Sequence, residues 1–230
     1  LLAFEIDGHR LATVICEDIW QAGGPVAQIA NHNVDLTLVL NGSPFEMSKT
    51  DTRLELVQDL AAKQSTAVAY VNLVGGQDDL VFDGNSFLID ANGKEAARAN
   101  QFETDLVVVE IENKNSIKAV SESTKNQGDL AQVWSALVLG VRDYVQKNGF
   151  KSVVLGLSGG IDSAVCAAIA VDAIGAKNVF GISLPSKYSS EHSLSDAALL
   201  AKNTGLMYST EPIEPYVEQF VDKLSLEGLA

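Results

Sequence analysis

Between Ser152 and Ser209 short apolar runs and helix-forming stretches take turns without a break. Ser152 to Leu157 reads as a strand, Ile161 to Ile174 as a helix and Val179 to Leu184 as a strand; Ser193 to Asn203 reads as a helix and Leu206 to Ser209 as a strand. Strict alternation leaves few folds open, because strands that run parallel need a long crossover and a helix is the usual one. The expectation is the first part of a doubly wound α/β domain, a parallel sheet wrapped by helices. Just before it, Val133, Leu137 and Val141 recur at helical spacing and Asn148-Gly149 supplies a stop signal, so Asp129 to Lys147 is expected to be an amphipathic helix.

The earlier part of the chain has a different rhythm. Residues 2 to 6 and 10 to 15 read as strands around an Asp7-Gly8 turn. A helix is expected from Pro25 to Asn33, a strand from Leu36 to Leu40, a long helix from Thr50 to Ser65 and a strand from Ala67 to Leu73. "DDLVFDGNSFLIDANGKEAARA" reads as two short strands around turns at Asp83-Gly84 and Asn92-Gly93, and Leu106 to Ile111 as the last strand of the unit. From Glu112 to Lys125 the apolar period disappears and polar residues take over, which marks a linker. The expected organisation is therefore a unit over 1–112, a linker over 113–127 and a second unit over 128–230. The chain opens on Leu1 inside a hairpin already under way and stops after an amphipathic stretch with no closing strand, so it reads as an internal fragment.

A formal charge of −14 argues against a nucleic-acid surface, since phosphate backbones are bound mainly by clustered Lys and Arg. Any phosphate ligand must then be held locally. Apolar runs such as Val153 to Leu157 fall far short of the roughly 20 residues that a membrane helix needs, and no leader pattern is read at the start. The 2 cysteines, Cys16 and Cys166, make no disulfide framework, and a cytoplasmic setting is expected.

"GLSGGIDS", residues 156 to 163, follows the first strand of the second unit and fits two chemistries. As Gly-x-Ser-x-Gly it matches the nucleophile elbow of a serine hydrolase, with Ser158 attacking. As a glycine turn opening a helix it suits a phosphate, which free N–H groups and the helix dipole attract. It is neither a Walker loop nor the Gly-x-Gly-x-x-Gly of dinucleotide dehydrogenases. The hydrolase reading needs an acid and a histidine downstream, and His192 is the sole downstream histidine. Asp162, in the first helical turn, would be repelled by a bare phosphate but makes sense with Mg²⁺ between them; it equally suits a helix-capping acid.

"SGGIDS" at 158 to 163 resembles the pyrophosphate loop of the N-type ATP pyrophosphatases, which cleave ATP between the α and β phosphates and transfer AMP to an acid. "SLPSKYSSEHSLSDAALLAKNTGL" at 183 to 206 is similar to the second strand and following loop of the NAD synthetases. That resemblance implies that Ser158, Gly159, Gly160, Ile161, Asp162 and Ser163 hold the phosphates of ATP, with Asp162 on Mg²⁺. It implies also that the loop carrying Pro185, Ser186, Lys187, Tyr188 and Ser189 closes over the nucleotide. On spacing alone the loop is a polar lead into a helix cap.

Cys16 ends the apolar run "LATVIC" and is followed by Glu17, Asp18 and Trp20. A buried structural thiol and an exposed strand-end nucleophile both suit that place. "CEDIW", "LVLNGSPFEMSK" and "YVNLVGGQDDLVFDGNSFLIDANG" resemble the glutamine amidotransferase domain of glutamine-dependent NAD synthetases, a branch of the nitrilase superfamily. The fold this implies for the first unit is the C-terminal part of a nitrilase-like αββα sandwich. The resemblance makes Cys16 the nucleophile and places Glu17, Ser43 and Lys49 at the glutamine; Ser43 and Lys49 equally suit ordinary turn positions. The glutamate base and oxyanion lysine of nitrilases lie upstream of the cysteine and so outside this sequence; Glu5, Lys49 and Lys63 do not replace them. The implied reaction is ATP-dependent amidation of deamido-NAD to NAD, with ammonia from glutamine. An internal ammonia route and a homo-oligomer are implied with it, while the isolated chain is expected to be inactive or only to bind nucleotide.

Overall fold

In the computed structural model residues 2–21, 23–121 and 124–224 are described. The chain forms two compact units that divide between Gly140 and Val141. In the first, strands β1 (Leu2–Ile6), β2 (His9–Ile15), β3 (Leu36–Asn41), β4 (Ala67–Asn72), β7 (Phe87–Ile89) and β8 (Glu95–Arg98) make one sheet in the order β1-β2-β3-β4-β7-β8. A two-stranded ribbon of β5 (Val74–Gln77) and β6 (Leu80–Asp83) stands apart from it. The β1–β2 turn places Asp7 and Gly8 at φ +50 and +81, the left-handed pair that a tight hairpin requires.

Strands β2, β3 and β4 are parallel, with Leu11 opposite Leu36 and Leu36 opposite Ala67. Helix α1 (Lys49–Gln64) provides the crossover from β3 to β4. Its buried positions Thr50, Arg53, Val57, Leu60 and Ala61 fall on one stripe. Against Val57, Leu60 and Ala61 pack Val14, Val39, Val68 and Tyr70, every second residue of three strands. Each fully buried valine there contributes about 1.5–3 kcal/mol of transfer free energy. On the other face Leu36, Ala67, Leu88 and Ala97 meet a hairpin of β9 (Val109–Asn113) and β10 (Ser116–Ala119).

That hairpin lies partly within the stretch read as linker. Ile117 and Ala119 alternate inward against the sheet, so a mostly polar segment folds as a strand on two apolar side chains. The strand expected from Leu106 begins at Val109. The helix expected from Pro25 to Asn33 is a 3-10 helix over Val26–His32, closed by Asn33 at φ +49. Its Val26 and Ile29 are buried three apart, the repeat that 3-10 geometry keeps on one side. "DDLVFDGNSFLIDANGKEAARA" supplies three strands rather than two, and the left-handed turn residues are Gly84 and Asn85, with Asp83 left as the last residue of β6.

Helix α2 (Asp129–Lys147) has the predicted bounds. After it β11 (Val153–Gly156), α3 (Ile161–Ile174), β12 (Val179–Ser183), α4 (Glu191–Thr204), β13 (Met207–Thr210) and α5 (Glu214–Leu224) alternate. The strands form a wholly parallel sheet in the order β11-β12-β13. Its core is Leu157, Val179 and Leu206 with the small faces of two helices, Ala167 and Ala170 from α3 and Ala197 and Ala201 from α4. Among the described residues no helix is long and apolar enough to cross a membrane.

Candidate active sites

In the first unit three neighbouring parallel strands end level with one another. Ile15 stands opposite Leu40, and Leu40 opposite Val71. The residues just beyond therefore arrive at one edge: Cys16 after β2, Ser43 after β3, and Asn72 as the last residue of β4. Cys16 is half-buried and has φ +39, a backbone region that a side chain with a Cβ rarely occupies. Strain of this kind costs about 1–3 kcal/mol and gathers at functional positions. Cys16 opens a 3-10 turn through Trp20, and Asp18 Oδ2 accepts from Ile15 N at 2.8 Å, which ties the elbow back to its strand. Glu17 points to solvent, where its carboxylate accepts from Gln21 Nε2 at 3.2 Å.

Ser43 is buried and held on all sides. Its N–H donates to Asn72 Oδ1 at 2.9 Å, and its carbonyl accepts from Asn72 Nδ2 at 3.1 Å. The Arg53 guanidinium donates to the Ser43 hydroxyl at 3.0 Å, to the Ser43 carbonyl at 2.8 Å and to the Pro44 carbonyl at 2.9 Å. Arg53 in turn makes a two-pronged contact with Asp83, at 2.8 and 3.0 Å. Arg53 is 2% exposed and Asp83 0%. Close by, burial pushes the Tyr70 phenol above its ordinary value, against the opposing pull of Arg53 and Ser43. Its hydroxyl is buried without a hydrogen bond of full geometry. Lys49 opens α1 and pairs with Glu46 at 2.7 Å; that hydrogen bond and the lysine's charge hold the Glu46 carboxyl below the usual carboxylate range.

In the second unit β11 and β12 also end side by side, and their loops carry the two motifs. The Ser158 hydroxyl lies 3.2 Å from that of Ser163 and accepts from Gly160 N at 3.3 Å. Ser163 Oγ donates to the Gly160 carbonyl at 2.9 Å. The turn is thus braced by its own serines at the start of α3, where the backbone N–H groups are free to meet an anion. Gly159, Gly160, Ile161 and Ser163 line a cavity of about 380 Å³ with Asp196 and Leu200 of α4. The expectation that Gly159 serves ligand approach is only part of the account. At φ +80 its missing side chain faces α4, where a Cβ would stand 2.3 Å from the Ser193 carbonyl oxygen.

Asp162 is exposed and makes no ion pair among the described residues. No group of three or more His, Cys, Asp or Glu able to hold a metal occurs among them either. A lone carboxylate beside a turn of free backbone N–H groups is a donor set that Mg²⁺ fits, since that ion takes one or two carboxylates and completes its shell with phosphate and water. The loop from Pro185 to Ser189 is folded on itself: Ser186 N donates to Ser189 Oγ at 3.0 Å and Tyr188 N to Ser186 Oγ at 3.2 Å. Lys187 sits 3.5 Å from Glu214 and over the Tyr188 ring at 5.2 Å. Those two neighbours raise its ammonium above the ordinary lysine value. Ser190 caps α4 by accepting from Ser193 N at 3.2 Å.

The structure brings Ser158 to Ser163 together as one turn, and it gathers Cys16 and Ser43 at one strand edge. It gives no support to Ser158 as a hydrolase nucleophile: its hydroxyl is engaged by Ser163 and Gly160, and among the described residues no histidine bonds it. Sequence reasoning missed Arg53, Asp83 and Asn72. An arginine at the spacing of Thr50, Val57 and Leu60, on an otherwise inward stripe, was the available signal for a buried partner.

The chain thus joins two α/β units, one with a strand-end cysteine on a parallel edge and the other with a serine-glycine turn on a second parallel sheet. Residues 3–119 match the carbon-nitrogen hydrolase family, and the chain belongs to that family; residues 133–228 match the NAD synthase family. It is 40% identical over 223 residues to the glutamine-dependent NAD(+) synthetase of Acinetobacter baylyi, with 97% of this chain and 41% of that protein covered. The enzyme of the same name from Aquifex aeolicus is 38% identical, with 98% and 45% covered. The chain therefore spans less than half the length of these relatives. The solved glutamine-dependent NAD+ synthetase of Acinetobacter baumannii in complex with ADP superposes with a TM-score of 0.90 at 43% identity, over 97% of this chain and 42% of that one.

Proposed function

We propose that the protein to which this chain belongs makes NAD from deamido-NAD, ATP and glutamine. The observation that carries the reading is the presence in one chain, and in the relatives' order, of the Cys16 elbow and the Ser158–Ser163 turn. In the first unit the Cys16 thiolate attacks the side-chain amide carbon of glutamine; the C–N bond breaks, ammonia leaves and a γ-glutamyl thioester remains for water to resolve. Ser43 and Lys49 hold the glutamine, with Glu17 at the mouth of the site.

In the second unit Ser158, Ser163 and the backbone N–H groups of Gly159, Gly160 and Ile161 bind the phosphates of ATP. The deamido-NAD carboxylate attacks the α-phosphorus, pyrophosphate leaves, and ammonia then displaces AMP from the acyl-adenylate. Charge grows on the leaving pyrophosphate, where fixed N–H and hydroxyl donors stabilise it. Mg²⁺, held by Asp162, would supply further neutralisation of that charge. Pro185, Ser186, Lys187, Tyr188 and Ser189 cover the nucleotide, and Lys187 brings a cation to its phosphates. The setting is cytoplasmic and the working form a homo-oligomer with an internal route for ammonia.

The test supplies ATP, Mg²⁺, deamido-NAD and glutamine to the full-length protein. NAD and pyrophosphate are expected in equal amounts. Glutamine hydrolysis with no NAD formed would overturn the assignment.

A further inference from the structure

Arg53 is the one large charged side chain of α1 turned fully inward, and its contacts are unusual for a cation on a core stripe. It is 2% exposed, and apart from its two contacts with Asp83 its four hydrogen bonds converge on one short segment, Ser43 and Pro44. A guanidinium presents its donors in a rigid fork, so it can fix a hydroxyl, two carbonyls and a carboxylate relative to one another, which an ammonium on a flexible stem cannot. The opposite side of the same segment is clamped by Asn72, whose amide also reaches Asp83 Oδ1 at 3.4 Å. The Ser43 segment is thus held from two sides, its hydroxyl and carbonyl by Arg53 of α1 and its backbone N–H and carbonyl by Asn72 of β4, and both of these side chains reach Asp83.

Burying two full charges is a costly way to add stability. An apolar pair of similar volume is often as good or better, so such a pair is more telling for the geometry it imposes than for the energy it supplies. The geometry imposed here is that of the Ser43 loop, beside the elbow of Cys16. We infer that Arg53, locked by Asp83, is a positioning residue for glutamine binding: it holds the Ser43 hydroxyl and the Ser43–Pro44 backbone in the orientation that recognises the amide substrate. This rests on the reading of Cys16 and Ser43 as a glutamine site.

The test uses the full-length protein and two ammonia sources. Arg53→Lys keeps the charge opposite Asp83 but loses the fork. It is expected to raise the glutamine KM at least about tenfold while kcat and the ammonia-driven rate change little, as loss of ground-state positioning should. Combined with Ser43→Ala, it should cost little more than Ser43→Ala alone, because it acts through that residue. An unchanged glutamine KM, or effects of the two substitutions that simply multiply, would overturn the role. If Arg53→Lys lowers both ammonia-driven and glutamine-driven rates through misfolding, Asp83→Asn replaces it, with the same rise in glutamine KM expected and an unmoved KM counting against the proposal. Absence of glutamine-driven NAD formation in the unsubstituted protein would instead refute the glutamine site itself, so the two failures are told apart.

Discussion

The backbone of Ser193, at the first turn of α4, fills the space in which any side chain at Gly159 would lie: a Cβ there would meet its carbonyl oxygen at 2.3 Å and its Cα at 2.6 Å. The serine-glycine turn and the helix that follows the second loop are therefore packed backbone to backbone, and one glycine joins the two motifs.

Gly159→Ala should consequently act on both. The substitution meets unyielding main chain and a positive φ together, a combination that costs on the order of 1–3 kcal/mol or more. The expected outcome is a lowered midpoint of thermal unfolding and loss of NAD formation with ammonia as well as glutamine. Retention of full ammonia-driven activity would show that α4 moves aside freely.

Cys16→Ser should separate the two chemistries. Glutamine-driven NAD formation should fall by several orders of magnitude, because a serine hydroxyl at this elbow lacks the nucleophilicity of a thiolate. Ammonia-driven formation should persist near its original rate. Equal loss of both activities would contradict a division of labour between the units.

Asp162→Asn leaves the helix start intact and removes the charge proposed to face Mg²⁺. The concentration of Mg²⁺ needed for half-maximal ATP use should rise about tenfold or more, with little change in stability, since the carboxylate is exposed. An unaltered Mg²⁺ dependence would leave Asp162 as no more than a helix-end acid.

Glu46 offers a test by pH. The Lys49 ammonium holds its carboxyl below the ordinary value, so the folded state binds fewer protons there than the unfolded chain. The contact contributes above the ordinary carboxylate range and is lost as pH falls through the depressed value. In an NMR titration of the side-chain carboxyl, Lys49→Ala should return Glu46 upward; no movement would mean that the pair is not formed in solution.

Much of this was legible in the residues. The alternation after Ser152 gave a parallel sheet, and α2 and α3 kept their expected bounds because a clear apolar period in α2, a nearly continuous apolar run in α3 and a glycine stop after each mark them. Ser116 to Ala119 was not legible as a strand, since only Ile117 and Ala119 face inward and polar neighbours hide a two-residue alternation. At the sites, Cys16 and the serine-glycine turn stand out because their local patterns are distinctive. Arg53 and Asp83 do not, because a charge pair separated by thirty residues exists only once the helix and the ribbon have met.

That separation has a consequence for a chain leaving the ribosome. Until residue 83 has emerged, the Arg53 guanidinium has no counter-charge to meet, and burying it alone would cost several kcal/mol. Helix α1 can form early and lie on its strands, but it cannot close down over Ser43 in the final geometry. The loop that carries Ser43 is thus seated during synthesis only after residue 83 has followed it, later than the strand that precedes it.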